Sequence, residues 1–104
     1  MTALCRCVQV THSHGAERGS GRGLLNEPRA LVVDAAERVW VADCRNHRIK
    51  VLGAMLEVHA HKLVSADHGL DRPTSLALDH VSGLLYVGQH DGRILVFRVQ
   101  QDEL

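Results

Sequence analysis

Residues 28–52, PRALVVDAAERVWVADCRNHRIKVL, decide the fold, because the same order of residue types returns from Pro73 as PTSLALDHVSGLLYVGQHDGRILVF. Each copy runs Pro, a short apolar stretch, an Asp, a turn, an aromatic-Val pair, a polar loop and Arg-Ile-x-Val. Leu31-Val32-Val33 is continuously apolar, as in a strand covered on both faces. Residues 35–38 read as a turn into a strand at 39–42, and 43–47 as a loop into a strand at 48–52. Leu56-Glu57-Val58-His59-Ala60-His61 alternates apolar with polar, the pattern of a half-exposed strand. A buried strand, two intermediate ones and an exposed one therefore follow one another along the chain.

The second copy places strands at 76–78, 84–87 and 93–99. It differs by one extra residue in the first turn, 80–83, and one fewer in the second loop, 89–92. Length changes confined to turns are what a structural repeat tolerates. Pro28 and Pro73 stand 45 positions apart, and a period of ~40–45 with four strands is that of a β-propeller blade. The fold class expected is all-β: antiparallel four-stranded blades of a partial β-propeller, about two in number. Arg6-Cys7-Val8-Gln9-Val10 echoes Arg48-Ile49-Lys50-Val51-Leu52, so residues 1–11 read as the last part of a preceding blade. A loop at 12–27, a first blade at 28–62, a loop at 63–72, an incomplete second blade at 73–99 and a tail at 100–104 complete the division.

The 104 residues suit one domain, and 45% apolar content is ordinary for a globular protein. Formal net charge is zero, so nothing global attracts nucleic acid or an anionic membrane. Eight histidines make the charge sensitive to mild acid. Arg6 interrupts the apolar run a signal peptide needs, and no stretch approaches a membrane span. Three cysteines cannot all pair within the chain, and a reducing, cytoplasmic setting is expected. Gln101-Asp102-Glu103-Leu104 is similar to an ER-retrieval signal with Gln in place of Lys or His, an address without meaning in a cytoplasmic chain.

The repeats resemble the NHL family, whose blades read Pro, a small apolar run ending in Asp, a turn, an aromatic or aliphatic residue with Val-Ala-Asp, then Asn-His-Arg-Ile. The matching residues are Pro28, Leu31-Val32-Val33-Asp34, Trp40-Val41-Ala42-Asp43 and Asn46-His47-Arg48-Ile49. The second copy departs, with Gly88-Gln89 for Ala-Asp and Asp91-Gly92-Arg93 for Asn-His-Arg. The resemblance covers about residues 5–99. It implies a propeller of the kind found at the C-terminus of tripartite-motif (TRIM) ubiquitin ligases, usually six-bladed, binding protein or structured RNA, with some relatives lyases or lactonases. No RING, B-box or coiled-coil pattern accompanies it. Two blades and a fraction leave apolar faces for other blades, or for self-association, to cover.

Blade topology sends residues 12–29, 43–48, 63–73 and 89–93 to one end. The binding candidates there are Arg29, Arg45, Asn46, His47, Arg72, His90 and Asp91, on loops held by a rigid scaffold. Seven Arg against six carboxylates make no basic patch, and stacking aromatics are missing, so protein is the expected partner and RNA the alternative. Asp43 and Arg48 are expected to hold a hairpin, and Trp40 and Tyr86 to pack between blades. Asp34 and Asp79 cap turns at the other end. Cys5, Cys7, His12 and His14 are the weak candidates for a metal. Their spacing is not a zinc knuckle, and Cys7 falls on the core position of Ile49 and Ile94, so no metal is assigned. Neither a cofactor motif nor a nucleophile elbow is present, and a non-catalytic module is expected, with a fragment of a propeller lyase or lactonase as the alternative the resemblance leaves open.

Overall fold

The computed structural model describes residues 9–10, 13–15, 18–21, 24–53, 55–56, 58–64 and 69–99. The readings placed on residues 1–8 and 11–12 and on the tail lie outside these, as do the side chains of 58–64. Among the described residues seven strands form two antiparallel sheets. The first has β1 (Pro28–Val33), β2 (Val39–Asp43), β3 (Arg48–Leu52) and β4 (Val58–Val64) in that order, and the second has β5 (Pro73–Asp79), β6 (Leu84–Gln89) and β7 (Ile94–Arg98). The fold is all-β, as expected, and its sheets are consistent with a partial β-propeller. Among the described residues no helix is long and apolar enough to cross a membrane.

The two sheets repeat each other in detail. Proline opens both β1 and β5, where a missing N–H costs no ladder bond. Glu27 and Arg72, the residues just before, are both left-handed, at φ 59 and 48. The register slips at the same place in each copy, between Pro28 and Ala30 and between Pro73 and Ser75. Val33 pairs with Val39, but Leu78 pairs with Leu85, so the first turn of the second copy holds the expected extra residue. Asp43 pairs with Arg48, whereas Gln89 N–H donates to Arg93 O, which closes the second loop one residue sooner.

The fourth strand is a correction. It starts at Val58, not Leu56, because Leu56 is left-handed (φ 64) and donates its N–H back to Gly53 O at 2.8 Å. It also runs on to Val64, pairing Leu63 with Lys50 and Val64 with Ile49, so the loop expected from 63 loses two residues to the strand.

One face of each sheet meets the other. Trp40, Ala42, Ile49 and Val51 from the first sheet and Leu85 and Val87 from the second form the core, together with Leu70 and Val99. Ala30, Val32, Leu76, Leu78, Leu95 and Phe97 pack around them. Period-two alternation makes this possible: Val32, Trp40 and Val51 line up across β1, β2 and β3 on one face.

Candidate functional site

At one end Glu27, Arg29, Cys44, Arg45, Arg72 and His90 meet, and a single carboxylate gathers the first set of described loop residues. Asp43 is fully buried at the end of β2. Its Oδ1 accepts the Asn26 backbone N–H at 2.7 Å, while Oδ2 accepts Asn46 Nδ2 at 2.9 Å and Arg48 Nε at 2.7 Å. Arg48 then donates through its terminal nitrogens to Ser20 O, Gly21 O and Leu24 O. Asn46 Nδ2 also donates to Gly19 O at 2.8 Å. The Asp-Asn-Arg constellation thus pins Gly19, Ser20, Gly21, Leu24 and Asn26 onto the β2–β3 loop.

The second copy does the same work with different residues. Gln89 occupies the place of Asp43, and its Oε1 accepts Asp71 N–H at 2.8 Å, as Asp43 accepts Asn26 N–H. The arginine contact passes to Asp91, whose carboxylate accepts Arg93 N–H at 3.0 Å and Arg93 Nε at 2.9 Å. Those donors hold the Asp91 carboxyl below its usual range. The backbone bond from Cys44 N–H to Glu27 O has its counterpart from His90 N–H to Arg72 O.

Between the two loop sets lies a cleft of about 180 Å³ lined by Glu27, Arg29, Cys44, Arg45, Arg72 and His90. Four of the seven binding candidates therefore meet there. Glu27 sits between Arg45 Nε at 3.1 Å and Arg29 Nη2 at 3.5 Å. Partial burial raises its carboxyl, but Arg45 and then Arg29 outweigh this and leave it below its usual value. Arg72 Nε is 3.2 Å from Asp71 Oδ1. Three guanidiniums face the one lining carboxylate, and with Arg72 also paired to Asp71 the cleft keeps a modest positive excess. Burial pushes the Cys44 thiol up, which keeps it protonated and a poor nucleophile.

The other three candidates are already engaged. Asn46 and Asp91 make the bonds given above. His47, left-handed at φ 54, accepts the Arg72 backbone N–H on Nδ1 at 3.1 Å and so joins the two sheets. The same nitrogen is 3.4 Å from Asp71 Oδ1, and a lone pair already facing an N–H cannot also donate to that carboxylate. Cys44 is not among the sequence candidates, and Glu27 counts there only as one of the six carboxylates of the loop end. Glu27 could have been found, since it precedes Pro28 as Arg72 precedes Pro73.

At the opposite end Asp34 does more than cap a turn. Oδ1 accepts the N–H groups of Ala36 and Arg38, and Oδ2 accepts Arg38 Nε at 2.8 Å and Trp40 Nε1 at 2.9 Å. Burial opposes its ionisation, yet the Trp40 and Arg38 donors prevail and its pKa is lowered. Asp79 holds its turn more simply, through Val81 and Ser82 N–H. Trp40, 2% exposed, lies in the core, whereas Tyr86, at the equivalent strand position, is 38% exposed on an outward face.

Of the weak metal candidates, Cys5, Cys7 and His12 lie outside the described residues. His14 has its Nδ1 3.0 Å from Leu56 O and its Nε2 3.1 Å from Lys50 Nζ. An ammonium on Nε2 requires a lone pair there and a proton on Nδ1, which is the neutral ring. Burial and then Lys50 accordingly lower its pKa. Among the described residues no group of three or more His, Cys, Asp or Glu side chains gathers as metal ligands.

The NHL repeat pattern matches residues 25–52, the segment that carries Glu27, the Asp43 constellation and Arg45. No curated protein matches the chain.

Proposed function

We propose that the chain is a non-catalytic interaction module whose loop end binds protein, with the cleft at Arg29, Arg45, Arg72 and His90 receiving an acidic side chain of the partner. NHL repeats are in general protein-interaction modules, and the observation carrying the finer reading is the positive cleft. Its arginine side chains are accessible, Arg45 at 62%, and Arg prefers a carboxylate it can grip with two donors. Glu27 serves as an internal stand-in, holding Arg29 and Arg45 apart until a partner carboxylate competes. In a longer polypeptide of TRIM type, such a surface would be the substrate-recognition part of a ubiquitin ligase. The buried free thiol of Cys44 fits a reducing, cytoplasmic setting.

Panning a random peptide library on the chain tests this. Selected peptides should be rich in Asp and Glu, and should lose binding to an Arg45→Glu/Arg72→Glu variant that keeps its far-UV circular dichroism. Selection of peptides without acidic residues, or binding indifferent to the variant, overturns the acidic-partner reading. Tight, salt-sensitive retention of a single-stranded RNA pool in place of peptides moves the assignment to RNA.

A further inference from the structure

The exposed face of the second sheet is the same surface, residue for residue, that the first sheet buries. β5 follows β1 at an offset of 45, β6 follows β2 at 46 and β7 follows β3 at 45. Val32, Trp40, Ile49 and Val51 therefore correspond to Ala77, Tyr86, Ile94 and Val96. The former set packs into the core. The latter faces solvent, with Ile94 71% and Val96 52% exposed. An unpartnered apolar face of this kind marks an interaction site.

The complementary surface is also open. Inside the molecule, the strand of the second sheet that lies against the first is β5, through Leu76 and Leu78 against β1 and β2. Their counterparts on β1 are Leu31 and Val33, 63% and 51% exposed. Elsewhere on that side the first sheet is already covered: Val41, Lys50 and Leu52 are buried, and Lys50 is held by His14 and Leu24 O. Within one molecule Leu85 and Val87 of β6 add to that packing; on the first sheet Val41, the counterpart of Val87, is covered, so the inner strand is the part of this surface that remains free.

We propose that β1 of a second copy, through Leu31 and Val33, docks on the Ala77, Tyr86, Ile94 and Val96 face of the first, repeating between molecules the packing that joins the two sheets within one. The two surfaces differ, so the contact is head to tail and leaves one of each free, and copies continue until they close a ring or form a chain. The loop-end cleft takes no part in it, so the inference stands apart from the proposed function.

The experiment uses the whole chain and two variants, Ile94→Glu on one surface and Leu31→Glu on the other. Both positions face solvent in a single copy, so Trp40 fluorescence and far-UV circular dichroism should be unchanged. Light scattering after gel filtration should give the unaltered chain a mass above that of a dimer, and each variant alone the mass of one chain. Mixed in equal amounts, the variants should pair, since one keeps the Tyr86 surface and the other keeps β1. They should stop at two chains because both outer surfaces of the pair are blocked. An unaltered chain that runs as a monomer, variants that assemble as it does, or a mixture that stays monomeric overturns the proposal.

Discussion

Asp43 and Asp91 show how one role acquires different weight from burial. Both carboxylates hold an arginine across a loop, at 2.7 and 2.9 Å. The Asp43 side chain is fully buried beside an Arg48 only 13% exposed, whereas Arg93 is 61% exposed. Removing one member of a buried pair strands the other charge and costs ~3–5 kcal/mol, while an exposed pair contributes little. Asp43→Ala should therefore lower the urea midpoint steeply, and Asp91→Ala should leave it close to the parent value; equal shifts would contradict the assignment. His14 gives a pH dependence with a definite sign. Its folded pKa lies below the usual 6.5, so the unfolded chain takes up the proton first. Stability conferred by the neutral ring is thus full above pH 6.5 and is lost as pH falls from there through the folded pKa. His14→Gln can keep both contacts without titrating, so thermal melts should show a flatter profile below that pH for the variant. Asp34, also lowered, adds a second loss that begins below 3.8.

The hairpins make the same comparison at the scale of the element. The left-handed residue before the third strand is His47 in one copy and Gly92, at φ 91, in the other. His47 bears that conformation while its ring bridges to Arg72. Gly92 has no such tie, and a Cβ built there would meet nothing within 4 Å. Gly92→Ala should then cost about 1 kcal/mol through backbone conformation alone, seen as a lower melting temperature with unchanged circular dichroism; no loss would mean the loop relaxes freely. Ser75 and Gly88 show compensation across a strand pair where the first sheet has Ala30 and Ala42. The Ser75 hydroxyl occupies the space a Gly88 Cβ would need. Strands and turn-length changes were legible in the sequence because hydropathy alternation and turn residues are local. The start of β4 was not, since nothing in an alternating run marks Leu56 as left-handed. Topology alone brought Arg29, Arg45, Arg72 and His90 together. Asn46 and His47 read as free ligands because their acceptors and donors, Gly19 O and Arg72 N–H, lie far away in the chain.

At the scale of the molecule the question is whether the two sheets are one unit. Trp40 and Tyr86 match by position yet one is buried and the other open, because burial depends on which sheet lies alongside, and no strand pattern encodes that. The packing that covers Trp40 comes from both sheets, with Leu85 and Val87 of β6 in the same cluster. His47 adds a hydrogen bond across the junction. Neither sheet would keep its apolar face dry alone, so their separation and their unfolding should be one event. Trp40 is the chain's single tryptophan and lies between the sheets, so its emission reports the junction while far-UV circular dichroism reports the strands. The two probes should give one coincident urea transition. Leu85→Ala, which empties space in the buried cluster that holds Trp40, should cost ~2–5 kcal/mol and move both curves together. A fluorescence change preceding the loss of strand signal would show instead that the sheets part before they unfold, and that the core between them is an interface between independently stable halves.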